Sequence, residues 1–301
     1  MNNNENYGAI VKWAGGKSKL APIIEETILK KTSIHEMDTY VEPFVGGGSF
    51  FFYLIQKYEF KNKIISDVNA ELINLYKVVQ QKPQELINSA EKMQYAYNSL
   101  ESMEEKSAFF YAIRVAYNES IISESIEIDI EQATQFLFLN KVGFNGLYRV
   151  NSKGLYNVPF GKRTKASLFN VENLLGISNL LKGTTILHAD YAETIKFANK
   201  KALFYFDPPY RPLSTSASFN SYAKSEFNDD SQIKLADFCH QIDQLGAKFA
   251  LSNSDPKNNN VDDNFFDDLY STYTINRIHA SRMIGASANS RGKVSEILVT
   301  N

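Results

Sequence analysis

Short hydrophobic runs alternate with helical periodicity near both ends of the chain. Apolar residues at 39–41 and 64–65 flank a helical pattern over 50–58, which predicts strand, helix and strand. Four more runs of strand length follow, with a helical pattern over 231–245 between the second and third of them: 185–187, 202–206, 248–251 and 295–300. This alternation predicts an α/β fold with a largely parallel sheet.

The middle of the chain has a different, mostly helical pattern. Pro83 suits the first turn of a helix, Asp129 suits an N-cap, and Gly143 suits the position after a helix end. We therefore expect a discontinuous α/β domain built from 1–68 and 167–301, with a mainly helical insertion over 69–166.

The composition is that of a globular protein. The chain has 301 residues, of which 44% are hydrophobic and 22% are charged. Cys239 is the single cysteine, which excludes an internal disulfide and favours a reducing, cytoplasmic location. No secretory signal or membrane-spanning run is visible. Cysteine and histidine do not cluster with zinc spacing, and we predict no metal.

Charge is unevenly distributed, although the net charge is only −2. Two windows, 132–171 and 270–295, lack acidic residues and carry these basic ones: Lys141, Arg149, Lys153, Lys162, Arg163 and Lys165 in the first, and Arg277, Arg282, Arg291 and Lys293 in the second. A solvated surface is the ordinary explanation of such windows. In a slightly acidic chain they also indicate two surfaces that meet a polyanion.

A glycine turn follows the first predicted strand. Gly46, Gly47 and Gly48 let the backbone approach a ligand closely before the next helix begins. Asp67 lies 19 positions after Gly48, where an acidic residue binds ribose hydroxyls in nucleotide-type sites. The spacing differs from the dinucleotide fingerprint, so a plain tight turn stays open as an alternative.

The sharpest signal is the sequence Asp207-Pro208-Pro209-Tyr210, which ends the buried apolar run 202–206. Ligands of open α/β sheets bind outside the carboxyl ends of the strands. Asp207 supplies a carboxylate there, and the prolines hold stiff backbone carbonyls. A carboxylate, a rigid carbonyl and a tyrosine ring together suit a planar base with an exocyclic amino group.

These residues make the chain resemble the Dam-type DNA adenine-N6 methyltransferases, which use S-adenosylmethionine. The resemblance covers nearly the whole chain and includes six motifs in the order of the alpha arrangement: 12–17, 43–49, 66–69, 145–149 with 157–161, 188–191 and 207–210. It implies a Rossmann-like methyltransferase sheet, mostly parallel with an antiparallel C-terminal strand, and an inserted target-recognition domain.

The resemblance also assigns roles to residues. Asp207, Pro208 and Tyr210 are the expected catalytic residues. The residues expected to bind S-adenosylmethionine are Trp13, Lys17, Phe44, Gly46, Gly48, Asp67, Asp190, Tyr191 and Asp207. Trp13 could instead be a packing residue, and Lys17 could instead meet a DNA phosphate.

The same resemblance places double-stranded DNA on the second half of the insertion. Arg149 is expected to read a guanine, with GATC as the expected site, because arginine binds guanine O6 and N7 in a bidentate manner. The residues expected to contact DNA are Asn145, Leu147, Arg149, Pro159 and Lys162. The target adenine must leave the duplex to reach Asp207.

Several alternatives remain at this stage. An RNA methyltransferase would share the cofactor fold, whereas protein-amide and cytosine-N4 methyltransferases tend to carry Asn or Ser in place of Asp207. A nicotinamide dehydrogenase would have no use for the residues 207–210. A catalytically silent DNA-binding relative, and a methyltransferase that works beside a restriction endonuclease, are compatible with these motifs.

Overall fold

A seven-stranded sheet runs through the protein, which is described here from a computed structural model. The structure describes residues 7–121, 128–211, 227–281 and 293–301. The strands are β1 Thr39–Glu42, β2 Asn62–Asp67, β3 Thr184–His188, β4 Ala202–Phe206, β5 Lys248–Ser254, β6 Thr274–Ser281 and β7 Lys293–Thr300. Their order is β3-β2-β1-β4-β5-β7-β6.

The pairing confirms the expected sheet. Strands β1 to β5 are parallel to one another, and the C-terminal strand β7 is antiparallel to β5 and β6. All the predicted strands are present. Strand β6 was missed by the sequence analysis: it is an edge strand that pairs only with β7, and its alternation with polar residues gives no continuous apolar run.

Helices cover both faces of the sheet. They are α1 Ala21–Leu29, α2 Ser49–Ile55, α3 Ala70–Gln81, α4 Pro83–Asn98, α5 Met103–Ile121, α6 Ile130–Val142, α7 Val171–Leu181, α8 Asp229–Gln244 and α9 Phe265–Leu269. Pro83 stands in the first turn of α4, and Gly143 follows the end of α6. Asp129 caps α6 by accepting a hydrogen bond from the Gln132 N–H at 2.9 Å.

Strand β4 divides the core because its side chains alternate between two faces. Leu203 and Tyr205 belong to a cluster that continues without interruption into the helices α3 to α6. Phe204 and Phe206 belong to a second cluster, formed mainly with α8. The helical region 69–166 therefore shares a hydrophobic core with one sheet face. Its treatment as a separate inserted domain stays a prediction.

The sheet order determines where a site can form. Strand β1 lies between β2 and β4. The chain adds β2 and β3 on one side of β1 and then continues with β4 on the other side. Such a reversal opens a crevice at the carboxyl ends of the strands. Within the ranges that the structure describes, no helix is long and apolar enough to cross a membrane.

Replacement of Phe204 by alanine tests how much the central strand β4 contributes to the free energy of unfolding. Phe204 is fully buried, and removing its ring should lower the free energy of unfolding by about 3–5 kcal/mol. Urea unfolding measures the change. Val261, which is 74% exposed, is the control, and Val261→Ala should change stability by less than about 0.5 kcal/mol. Equal effects of the two substitutions would contradict this picture of the core.

Candidate active site

An ion pair between a buried lysine and a partly buried aspartate lies at the carboxyl end of β4. Asp207 directly follows this strand, and its Oδ1 is 2.9 Å from the Nζ of Lys17. The Lys17 side chain is 5% exposed and that of Asp207 is 20% exposed. Lys17 also donates to the Gly15 carbonyl at 2.7 Å, and its ammonium lies 4.7 Å from the centroid of the Tyr210 ring. The structure thus brings Lys17, Asp207 and Tyr210 together.

Two more carboxyl groups surround this pair. Glu42 ends β1, is 2% exposed and accepts a hydrogen bond from the Tyr40 hydroxyl at 2.7 Å. Glu296, on β7, accepts a hydrogen bond from the Tyr210 hydroxyl at 2.8 Å. The site therefore concentrates carboxyl groups around the Lys17 ammonium.

Burial is the main influence on ionisation here. It raises the pKa of Asp207 above its ordinary value, and the charge of Glu296 adds to the rise, whereas Lys17 and the Tyr210 hydroxyl oppose it. Burial also raises the pKa of Glu42 well above its usual range, although the hydrogen bond from Tyr40 opposes the rise. Lys17 is thus the group whose charge favours an ionised Asp207.

Buried amides hold the backbone that follows Asp207. The Pro209 carbonyl accepts a hydrogen bond from Gln232 Nε2 at 3.1 Å. Gln232 Oε1 accepts from Asn253 Nδ2 at 3.0 Å, and Asn253 Oδ1 accepts from the Arg211 N–H at 3.2 Å. Both amide side chains are fully buried. This network fixes the segment in addition to the stiffness that the two prolines supply.

The glycine turn is tied to the end of β2. Gly46 and Gly48 have φ angles of 47° and 69°, a region that favours glycine. The Gly46 N–H donates to Asp67 Oδ2 at 3.0 Å, and the Tyr76 hydroxyl donates to the Gly46 carbonyl at 2.8 Å. The turn therefore has a defined shape that depends on contacts with two other elements.

Asp67 has a structural task in addition to the ribose role expected for it. Its Oδ1 accepts a hydrogen bond from the Asn69 N–H at 3.0 Å, while its Oδ2 accepts from Gly46. Burial raises the pKa of Asp67, and these backbone donors oppose the rise. A carboxylate has about four acceptor positions, so each oxygen keeps capacity for a further donor. Binding of a ribose hydroxyl by Asp67 stays a prediction.

Aromatic rings line the same strand edge next to the glycine turn. Phe44 stacks on Tyr191 with ring centroids 5.4 Å apart, and Tyr191 packs edge-on against Phe238. Asp190 is exposed, and its carboxylate accepts a hydrogen bond from the Ala192 N–H at 2.9 Å. The structure thus brings Phe44 and Tyr191 together and leaves the carboxylate of Asp190 facing solvent.

Trp13 lies between the glycine turn and Tyr148, which belongs to the motif 145–149. A Cβ added to Gly46 would lie only 2.7 Å from the Trp13 ring, and the indole stacks on Tyr148 with centroids 5.3 Å apart. These contacts match the packing alternative for Trp13. Its expected role beside the methionine end of the cofactor stays a prediction.

The five residues expected to contact DNA lie on the loop that follows α6, and the two arms of this loop are hydrogen-bonded to each other like a short hairpin. The Phe144 N–H donates to the Pro159 carbonyl at 2.9 Å, and the Asn157 N–H donates to the Arg149 carbonyl at 3.0 Å. All five are exposed: Asn145, Leu147, Arg149, Pro159 and Lys162. The fold thus exposes all five on one loop, and DNA contact by each stays a prediction.

Arg149 has a partner that the sequence analysis did not single out. Its Nε donates to Asn157 Oδ1 at 2.7 Å, and its Nη2 donates to the Asn157 carbonyl at 3.3 Å. Asn157 thereby holds one edge of the guanidinium, which reduces the freedom of an otherwise flexible side chain.

The buried amide of Asn140 joins this loop to the N-terminal segment. Its Oδ1 accepts from the Lys12 N–H at 2.9 Å, and its Nδ2 donates to the carbonyls of Lys12 at 2.9 Å and Gly146 at 3.1 Å. The segment that carries Lys12, Trp13 and Lys17 therefore contacts both the recognition loop and Asp207.

Sequence analysis missed several residues of the site, namely Glu42, Gln232, Asn253 and Glu296. Each is a polar side chain on a strand or helix that is otherwise largely apolar on that side, which was the available signal. Arg282 and Arg291, from the second basic window, lie outside the described residues. In the described part of the chain, no group of three or more His, Cys, Asp or Glu side chains could hold a metal ion.

Alanine substitutions at two glycines test the fit of the turn. Gly46 and Gly154 both have positive φ, at 47° and 77°, but a Cβ meets the Trp13 ring at Gly46 and nothing within 4 Å at Gly154. Gly154→Ala should cost only the backbone strain, about 1–2 kcal/mol. Gly46→Ala should reduce the free energy of unfolding by clearly more, as measured by urea denaturation. Equal losses would show that the contact with Trp13 is not tight.

Comparison with known proteins shows the family of the chain. The family described as D12 class N6 adenine-specific DNA methyltransferase matches residues 13–284. The type II methyltransferase M.MjaIII of Methanocaldococcus jannaschii is 41% identical over 97% of this chain and 98% of that protein. The type II methyltransferase M1.LlaDCHI of Lactococcus lactis subsp. cremoris is 34% identical over 99% and 97%.

A third relative carries the name that the sequence motifs suggested. A DNA adenine methylase of Vibrio cholerae is 33% identical over 96% of this chain and 94% of that protein. The family match covers most of the chain, including the segments that carry Lys17 and Asp207. The chain therefore belongs to the D12 class of N6 adenine-specific DNA methyltransferases.

Proposed function

We propose that this adenine-specific DNA methyltransferase moves a methyl group from S-adenosylmethionine to N6 of an adenine flipped out of double-stranded DNA, within the site GATC. The observation that carries the proposal is the placement of Asp207. It ends the central strand beside a rigid Pro-Pro segment, and its charge is balanced by Lys17. This is an acceptor set for an exocyclic amino group.

The residues at Asp207 overcome the poor nucleophilicity of adenine N6. Its lone pair is delocalised into the ring, so the nitrogen must become pyramidal before it can form a bond to carbon. Hydrogen bonds from the amino group to the Asp207 carboxylate and the Pro208 carbonyl favour that geometry and orient the lone pair. As the new N–C bond forms, N6 loses a proton, and the adjacent Asp207 carboxylate is placed to accept it.

When it is bound, S-adenosylmethionine supplies an activated methyl group on a sulfonium; transfer would break the bond between this methyl group and sulfur and leave the neutral thioether S-adenosylhomocysteine. The residues at the strand edge fit its parts: the Asp67 carboxylate suits the ribose hydroxyls, and the rings of Phe44 and Tyr191 suit the adenine. The carboxyl groups around Lys17 suit the cationic methionine end. We assign Gly46, Gly48 and Asp190 to the same cofactor site.

Lys17 acts on the catalytic carboxylate in this proposal. Its ammonium is bound by Asp207 and by the Gly15 carbonyl, and the side chain is 5% exposed. This position supports neither a direct DNA phosphate contact nor a simple surface charge. Instead, the positive charge favours the ionised form of Asp207, which is the form that accepts hydrogen bonds from the adenine.

The target base must leave the duplex, because a base that stays paired keeps its reacting atom inside the stacked helix, out of reach of Asp207. Tyr210 follows the Pro-Pro segment and presents a ring on which the extruded adenine can stack. Arg149 reads a guanine, while basic residues such as Lys153 and Lys162 contact phosphates. A cytoplasmic location and a role beside a restriction endonuclease belong to this proposal, and two relatives are named type II methyltransferases.

Methyl transfer from labelled S-adenosylmethionine to short DNA duplexes tests the reaction and the site together. One duplex carries GATC, and the controls replace each position in turn. Label should enter only the GATC duplex and be recovered as N6-methyladenine. Equal labelling of the substituted duplexes would overturn the proposed site. Labelling of RNA but not DNA would overturn the proposed substrate.

Two substitutions on the recognition loop separate base reading from phosphate contact. Arg149→Ala should cost about 1–3 kcal/mol on GATC and relax discrimination at the guanine that it reads. Lys153→Ala is the matched control and should weaken binding to all duplexes alike, with a smaller dependence on salt. Binding and kcat/KM on the cognate and substituted duplexes measure both effects. Equal losses on all duplexes for Arg149→Ala would contradict its role.

Removal of the Lys17 charge should change the pH dependence of methylation. Burial already raises the pKa of Asp207, and Lys17 opposes that rise. Activity therefore falls as pH decreases through the Asp207 pKa, and Lys17→Met should move this acidic limb to higher pH, because the charge that lowers the Asp207 pKa is lost. The profile of kcat/KM against pH measures the shift. A lower plateau with an unmoved limb would show that Lys17 acts in another way.

A further inference from the structure

The hydroxyl of Tyr210 is bound by a residue far away in the chain. Glu296 Oε2 accepts its hydrogen bond at 2.8 Å across a sequence separation of 86 residues. Glu296 lies on β7, where its backbone pairs with Ser254 of β5 on one side and Ile278 of β6 on the other. The acceptor therefore stands on a strand that is held from both sides.

Tyr210 lies on an irregular segment, in contrast to its partner. Pro209 and the buried amide network fix the backbone before the ring, but the ring can still turn about two side-chain torsions. The Lys17 ammonium lies over one face, 4.7 Å from the centroid. The hydrogen bond to Glu296 fixes the far end of the ring, so the plane of the ring has a defined direction.

We propose that Glu296 is a positioning residue for the methylation reaction, which holds the Tyr210 ring in the plane on which the flipped adenine stacks. This inference rests on the proposed role of Tyr210 as the stacking residue. A ring that rotates away from this plane would let the adenine amino group drift from Asp207, and small misplacements of a reacting group reduce rates strongly. Glu296 acts through Tyr210 and has no direct contact with the substrate in this proposal.

The charge of Glu296 has a second effect, which a suitable substitution separates from the first. It adds to the rise in the pKa of Asp207. Glu296→Gln removes the charge but keeps an oxygen that can accept the tyrosine hydroxyl. Glu296→Ala removes both. Tyr210→Phe removes the hydroxyl but keeps the ring, and Tyr210→Ala removes the ring.

The experiment compares these variants and the double variant Tyr210→Phe/Glu296→Ala in the full-length protein. Thr300→Val is the control on the same strand, because the buried Thr300 hydroxyl has no hydrogen-bond partner among the described residues. The measurements are kcat and KM for a GATC duplex, affinity for S-adenosylmethionine, and thermal unfolding. A duplex with 2-aminopurine in place of the target adenine gives one more measurement. Stacking on the tyrosine ring quenches the fluorescence of 2-aminopurine, and the quenched fraction is compared among the variants.

Glu296→Ala and Tyr210→Phe should each lower kcat by about tenfold, the size expected for one hydrogen bond to a charged group. KM and cofactor affinity should change little. The double variant should be no slower than the slower single variant, because both remove the same contact. Glu296→Gln should stay within about threefold of the parent and keep the quenched fraction, which Glu296→Ala should reduce.

Other outcomes separate the two proposals. An unchanged kcat in Tyr210→Ala would overturn the stacking role of Tyr210 and, with it, the inference about Glu296. Two results would overturn the inference about Glu296 alone. In the first, Tyr210→Ala lowers kcat but Glu296→Ala does not. In the second, the kcat losses of Tyr210→Phe and Glu296→Ala multiply to about a hundredfold in the double variant. Should Glu296→Ala unfold, Glu296→Gln and Tyr210→Phe decide: a loss in Glu296→Gln without a loss in Tyr210→Phe would assign the effect to charge and would contradict positioning.

Discussion

The site depends on keeping a carboxylate ionised in a place where burial works against its charge. Transfer of Asp207 from water raises its pKa, and the nearby Glu296 raises it further. The Lys17 ammonium, 2.9 Å away, supplies the main opposing charge. The pair is not a simple stabilising device, because desolvation of two charges costs free energy that their attraction offsets only in good geometry. Its value is chemical, since an ionised Asp207 is the group that can accept hydrogen bonds from an adenine amino group.

The fold brings this pair together from distant parts of the chain. Asp207 is fixed at the end of β4, while Lys17 comes from the segment before α1. That segment is held in turn by the Asn140 amide at Lys12 and by packing of Trp13 on Tyr148. The contacts that position Lys17 are therefore shared with the loop that carries Arg149. DNA bound on that loop would lie against the same structural unit that holds Lys17.

Much of this arrangement could be predicted from the sequence, because its signals are local. Buried strands are continuous apolar runs, the glycine turn has a characteristic composition, and the carboxyl ends of parallel strands share one edge. Asp207, Asp67 and the glycines could thus be placed at one edge before the structure was known. The six motifs added roles that no local pattern contains.

The remaining features depend on register and long-range contact. The link from Tyr210 to Glu296 follows from the pairing of β7 with β5, which the spacing of apolar residues does not specify. The buried amides of Gln232 and Asn253 lie far from Pro209 in the sequence, and only packing shows that Gln232 holds the Pro209 carbonyl while Asn253 holds Gln232. Edge strand β6 lacks an apolar run because, among the described strands, it pairs with β7 alone. For Trp13, sequence alone gives little reason to prefer a packing role over a cofactor contact.

The most direct test of the central claim is the titration of Asp207 itself. Carbon-13 NMR of protein labelled at aspartate carboxyl groups measures it, with the Asp207 signal assigned as the one lost in Asp207→Asn. The account predicts a pKa above the ordinary aspartate value, with the carboxylate ionised at neutral pH, and a further rise in Lys17→Met. An ordinary pKa that does not respond to the loss of Lys17 would contradict it.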